Sequence, residues 1–129
     1  MALSDSRVDT VIAVSDLEKA RQFYESQLGL RRVEVDQGGV RYTCGEGTRV
    51  FIYASQENAG TASGTVAGWL VDDLDATMSE LASRGVSFER YDQPGLATDE
   101  RGVFDAGGFR AAWIRDPDGN TLALTESAT

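Results

Sequence analysis

Val14-Ser15-Asp16-Leu17-Glu18 returns 57 positions later as Val71-Asp72-Asp73-Leu74-Asp75. In the first copy the β-branched run Val8 to Val14 reads as a strand. Ser15 and Glu18 then have the spacing of a capping box, with Ser15 as the cap and Glu18 reaching back to it. An apolar stripe at helical spacing follows in both copies: Leu17, Ala20, Phe23, Tyr24 and Leu28, then Leu74, Thr77, Met78 and Leu81. Gly29 and Gly85 stand where a left-handed residue ends a helix. A chain of 129 residues with this doubled opening is one domain, or two small halves sharing a core.

The rest of each copy reads as strands. Arg31 to Asp36, Val40 to Cys44 and Arg49 to Tyr53 are separated by turns at Gln37-Gly38-Gly39 and Gly45-Glu46-Gly47. Ser55 to Gly64 lacks periodicity and is rich in Ser, Gly, Ala and Asn, as a linker would be. After the second helix, Val86 to Tyr91 answers the strand from Arg31. Asp92 to Glu100 is a longer loop around Pro94, Gly102 to Asp105 extends a strand, and Gly107-Gly108 turns. Phe109 to Glu126 is a hairpin closed by Asp116-Pro117-Asp118-Gly119-Asn120, residues that favour a turn before any other role. The pattern is βαβββ twice: module one 7–54, linker 55–64, module two 65–126.

With 21 acidic and 12 basic residues the net charge is −9, which argues against nucleic acid and anionic membranes as partners. No apolar run approaches the ~20 residues needed to span a bilayer. Cys44 has no second cysteine to pair with and reads as a buried structural thiol. Met1 to Arg7 shows neither a secretion signal nor a basic targeting segment, so a cytosolic protein is expected. Histidine is absent, which removes the commonest metal ligand and general base.

Strand, Asp-Pro-Asp-Gly-Asn, strand near the end of the chain, together with Val14-Ser15-Asp16-Leu17, Phe23-Tyr24 and Leu28-Gly29-Leu30, resembles the vicinal oxygen chelate superfamily. That superfamily includes glyoxalase I, extradiol dioxygenases, fosfomycin resistance enzymes and bleomycin-binding proteins. The resemblance implies an α+β fold in which two βαβββ modules form a curved, trough-like mixed sheet with helices outside. The exposed edges of such a trough favour a homodimer. It also implies four metal-ligand positions, from the first and last strand of each module. By register these fall on Asp9, Phe51, Val66 and Ala123. Only Asp9 could bind a metal, whereas a catalytic ion needs about three protein ligands, so no metal and no other cofactor is expected.

Strand alternation puts Asp9, Val11 and Ala13 on one face with Arg49, Phe51 and Tyr53. The second module contributes Val66, Gly68 and Leu70, then Phe109, Ala111, Trp113 and Arg115, then Thr121, Ala123 and Thr125, while Trp69 faces the helices. Aromatic rings opposite Gly68, Ala111 and Ala123 suit a small hydrophobic or aromatic ligand, with Asp9, Arg49 or Arg115 fixing a polar group. The same aromatics also suit a closed core, Asp9 a salt bridge to an arginine, and Arg49 and Arg115 solvated rim charges. Glu100, Arg101 and Asp105 fall on the loop that would gate a trough.

Three functions compete. The first is metal-free binding of a small molecule, as in antibiotic sequestration. The second is a metal-dependent lyase, isomerase or dioxygenase of the glyoxalase type, with Glu46, Glu57 or Asp105 replacing histidines. The third is a metal-independent proton-transfer enzyme with Asp9 as its catalytic base.

Overall fold

The structure, a computed structural model, describes residues 3–35 and 38–127. Met1, the expected strand end Asp36 and the expected turn residue Gln37 lie outside the described residues. The chain divides into two compact units, Met1–Ala62 and Ser63–Thr129, each of the expected α+β class.

In the first unit β1 (Asp9–Val14), β2 (Arg31–Val35), β3 (Gly39–Thr43) and β4 (Arg49–Ala54) are arranged in the order β1-β4-β3-β2. β1 runs parallel to β4, and the other neighbours are antiparallel. Between β1 and β2, α1 (Leu17–Arg21) starts at Asp16, whose Oδ1 accepts a hydrogen bond from the Lys19 N–H at 3.1 Å. The expected capping box is thereby corrected: the cap is Asp16 and not Ser15. Glu18 instead sits in the first turn, where its charge suits the positive end of the helix dipole.

From Gln22 to Gln27 the helix widens, with the Leu28 N–H donating to Phe23 O at 2.9 Å. The wider turn lets the adjacent residues Phe23 and Tyr24 both be buried. Gly29, at φ +77°, ends it. Ile12, Val14, Tyr24, Val40, Tyr42 and Ile52 form the best-buried part of this core. The Tyr42 hydroxyl donates to Glu25 at 2.9 Å, and burial first, then that carboxylate, push its pKa up.

In the second unit β5 (Thr65–Leu70) is followed by α2 (Leu74–Ser83). Asp73, in the place equivalent to Asp16, caps α2 through the Ala76 N–H at 3.0 Å. The strands β6 (Asp92–Gln93) and β7 (Leu96–Ala97) make a small separate hairpin. Then come β8 (Phe104–Asp105), β9 (Phe109–Arg115) and β10 (Thr121–Ser127). The main sheet has the order β5-β10-β9-β8, with β5 parallel to β10. Leu74, Met78 and Leu81 of α2 are buried, as are Ala112, Ile114, Leu122 and Leu124 of the sheet.

Two expectations fail here. Val86–Tyr91 forms no strand; it meets the sheet where the Glu89 N–H donates to Trp113 O at 2.8 Å. The expected loop from Asp92 to Glu100 contains two short strands, because Pro94-Gly95 turns the β6/β7 hairpin. Asp99 then folds the chain back by accepting from the Arg101 and Val103 N–H groups, both at 2.9 Å. That reversal delivers Phe104 opposite Ala111, so β8 takes the edge place that β2, the strand Val86–Tyr91 was expected to match, holds in the first unit.

Candidate functional site

Alternation sends Ile12, Val14, Val40, Tyr42, Val50 and Ile52 into the first unit's core. Their strand neighbours Asp9, Val11, Arg41, Arg49, Phe51 and Tyr53 therefore share the opposite face. The register sets Asp9 beside Arg49, Val11 beside Phe51, Arg41 beside Phe51 and Gly39 beside Tyr53. All six first-unit residues that the sequence put on this face, with Ala13 beside Tyr53, are thus brought together.

Asp9 is held on both oxygens. Its Oδ1 accepts from Arg49 Nε at 2.7 Å and its Oδ2 from Arg41 Nε at 3.1 Å, and its side chain is 16% exposed. Arg41 also pairs with Glu34, and its guanidinium carbon lies 4.9 Å from the Phe51 ring centroid. The Phe51 and Tyr53 rings are within 6° of parallel, with centroids 6.4 Å apart. Phe51 leans over Gly39, where a Cβ would come within 2.9 Å of the ring. The missing side chain on β3 is what lets the ring lie there.

Burial works to raise the Asp9 pKa, but the hydrogen bonds and charges of Arg49 and Arg41 together outweigh it and hold the carboxyl below the usual carboxylate range. A depressed folded-state pKa contributes stability above the unfolded value, and that contribution is lost as the pH falls through the folded value. Asp9→Asn is therefore expected to be less stable than the wild type at pH 7, with the gap closing below about pH 4. Chemical denaturation across pH 2 to 7 measures this; a gap unchanged down to the lowest pH would exclude the charged pairing as its source.

Arg41 was not anticipated from the sequence, although its place between inward Val40 and Tyr42 carried the signal. Arg49, read also as a rim charge, is an ion-pair partner, and Arg115 is paired with Glu89 at 3.3 Å. Cys44 is half-exposed rather than buried, because it lies just beyond β3 in the turn where its N–H donates to Thr48 O at 2.8 Å.

On the second unit's sheet, Gly68, Ala123 and Trp113 lie level, as do Leu70, Thr125 and Ala111, and Thr121 and Arg115. Val66 sits at the irregularity where the pairing of β5 with β10 slips. Phe109 is 46% exposed at the start of β9. Ala111 and Ala123, expected as open wall, are buried, which makes them core in this structure. Beside them Trp113 packs edge-on against Tyr91 at 5.5 Å and tilted against Phe104 at 6.2 Å. Tyr91 and Phe104 come from the segments whose path differs from expectation, so neither was identified. An open groove of about 650 Å³ lies elsewhere on this unit, lined by Leu70, Asp72, Asp73, Ala76, Thr77 and Glu80. Of the expected lining it contains only Leu70.

The four register positions do not fit a catalytic metal. Phe51, Val66 and Ala123 have no donor atom, and Asp9 is engaged by two guanidinium groups. Glu46, Glu57 and Asp105 do not supply a replacement: among the described residues no group of three or more His, Cys, Asp or Glu side chains is placed to hold an ion.

A family model described as the Glyoxalase/Bleomycin resistance protein/Dioxygenase superfamily matches residues 7–124. Among solved structures, a glyoxalase/bleomycin resistance protein from Catenulispora acidiphila DSM 44928 is 28% identical. It covers 93% of this chain and 96% of its own, with a TM-score of 0.69. TnmS3, an antibiotic binding protein from Streptomyces sp. CB03234, is 24% identical over 93% of this chain and 95% of its own, with a TM-score of 0.68. A lactoylglutathione lyase from Agrobacterium tumefaciens is 22% identical over 94% of this chain and 93% of its own, with a TM-score of 0.66. No curated protein matches the sequence.

Proposed function

This chain belongs to the glyoxalase/bleomycin resistance protein/dioxygenase superfamily, and from that footing we propose that it is a cytosolic, homodimeric protein that binds a small hydrophobic or aromatic molecule without a metal. The form of binding proposed is sequestration, of the kind the name of the Streptomyces neighbour describes for an antibiotic. At that neighbour's identity, as at the lyase's, likeness supports the fold and leaves the choice of function to the residues.

The observation that carries the reading is the state of Asp9. It is the one register position with a metal-binding group, and Arg41 and Arg49 engage both its oxygens beside the parallel rings of Phe51 and Tyr53. A cation would have to displace two guanidinium groups to reach it. The same pairing disfavours Asp9 as a general base, since a carboxylate whose pKa is held low gains little by taking a proton. Ring faces beside charged groups fit an aromatic ligand with one polar function.

Native mass spectrometry on protein purified gently from its own host, with elemental analysis of the same sample, tests this. The expected result is a dimer that retains an organic mass and no stoichiometric metal. About one divalent ion per subunit would overturn the proposal in favour of a metal-dependent enzyme.

A further inference from the structure

The arginine pair on the first unit gives the proposed ligand a chemical class. Asp9 takes the Nε of both guanidinium groups, and Arg41 Nη1 goes to Glu34. Arg49 has no second polar partner among the described residues, and 26% of its side-chain surface stays open. Its two Nη atoms thus form a donor fork whose orientation Asp9 fixes, on the same face as Phe51 two residues along β4. A guanidinium fork matches the two oxygens of a carboxylate and stays charged at every physiological pH.

We propose that Arg49 receives the acidic group of a flat aromatic carboxylate whose ring system lies against Phe51 and Tyr53; this rests on the aromatic-binding reading above. The charges around the fork limit what binds. Asp9 and Glu34 offset Arg41 and Arg49, so the quartet is neutral on a chain of net charge −9. A bare anion gains little there, and an acid needs the contact of its ring with the aromatic pair. Neutral aromatics keep that contact and lose the fork.

Titration calorimetry at pH 7 with 2-naphthoate, 2-naphthamide and acetate separates these contributions. The expected result is naphthoate binding at least about tenfold tighter than naphthamide, with acetate not bound. Arg49→Gln, which also leaves Asp9 and Glu34 facing Arg41 alone, is expected to bring naphthoate down to the affinity of naphthamide or below it. Arg49→Lys, which keeps the charge without the planar fork, is expected to lose most of the preference. Equal wild-type affinity for naphthoate and naphthamide overturns the acid site and leaves aromatic binding standing. Failure of both naphthalenes to bind overturns the two together. Acetate binding as tightly as naphthoate, or an undiminished preference in Arg49→Lys, also refutes the proposal.

Discussion

Gly39→Ala is expected to destabilise the protein by about 3 kcal/mol or more. An added Cβ would collide with the Ile52 carbonyl oxygen and lie 3.0 Å from its carbon, as well as 2.9 Å from Phe51 Cζ. The ring could swing aside, but the Ile52 backbone is part of β4, paired to β1 on one side and β3 on the other. Relief therefore means separating β3 from β4 at Gly39–Tyr53, next to fully buried Val40 and Ile52. Gly64→Ala is the control, because nothing lies within 4 Å of its added Cβ. Urea midpoints for the two variants and wild type decide the matter; Gly39→Ala within about 0.5 kcal/mol of wild type would show that the strands part freely there.

Asp116→Ala carries the second large effect, a loss of about 4 kcal/mol. The Asp116 side chain organises the turn before β10. Its Oδ1 accepts from the Asp118 and Asn120 N–H groups at 3.0 and 2.9 Å, and its Oδ2 from Asn120 Nδ2 at 2.9 Å. Both Asp116 and Asn120 are buried, at 5% and 3% exposure, so truncation strands donors out of reach of bulk water. Asp116→Asn keeps one carbonyl acceptor and is expected to lose about half as much. Equal, small losses for the two variants, again from urea unfolding, would show that Pro117 and Gly119 shape the turn without the carboxylate.

The repeat and the division of faces in the first unit were legible because they depend on periodicity. Val11 and Ile12 could be assigned to opposite faces by parity alone, and the register agrees. Side-chain pairing was less legible. Asp9 could be placed on a face, yet which arginines it meets depends on β1 lying beside β4, a pairing of residues far apart in sequence. The second unit's edge misled for a different reason. Val86 to Tyr91 has a strand's alternation, but an edge position goes to whichever segment the connecting loop delivers, and Asp99 and Pro94-Gly95 deliver Phe104–Asp105. The widened helical turn at Gln22–Gln27 left no signature, since its apolar spacing also fits an ordinary helix.

Both units pair their first strand in parallel with their last, and that topology sets a timetable for synthesis. The first sheet can close as soon as β4 has left the ribosome, while the second unit is still being made. The second cannot close until β10 emerges, and until then β5 has neither its parallel neighbour nor the helix-side leucines Leu122 and Leu124 that complete its core. During translation the aromatic and arginine face is therefore complete before the other half of the chain has a hydrophobic core to fold around.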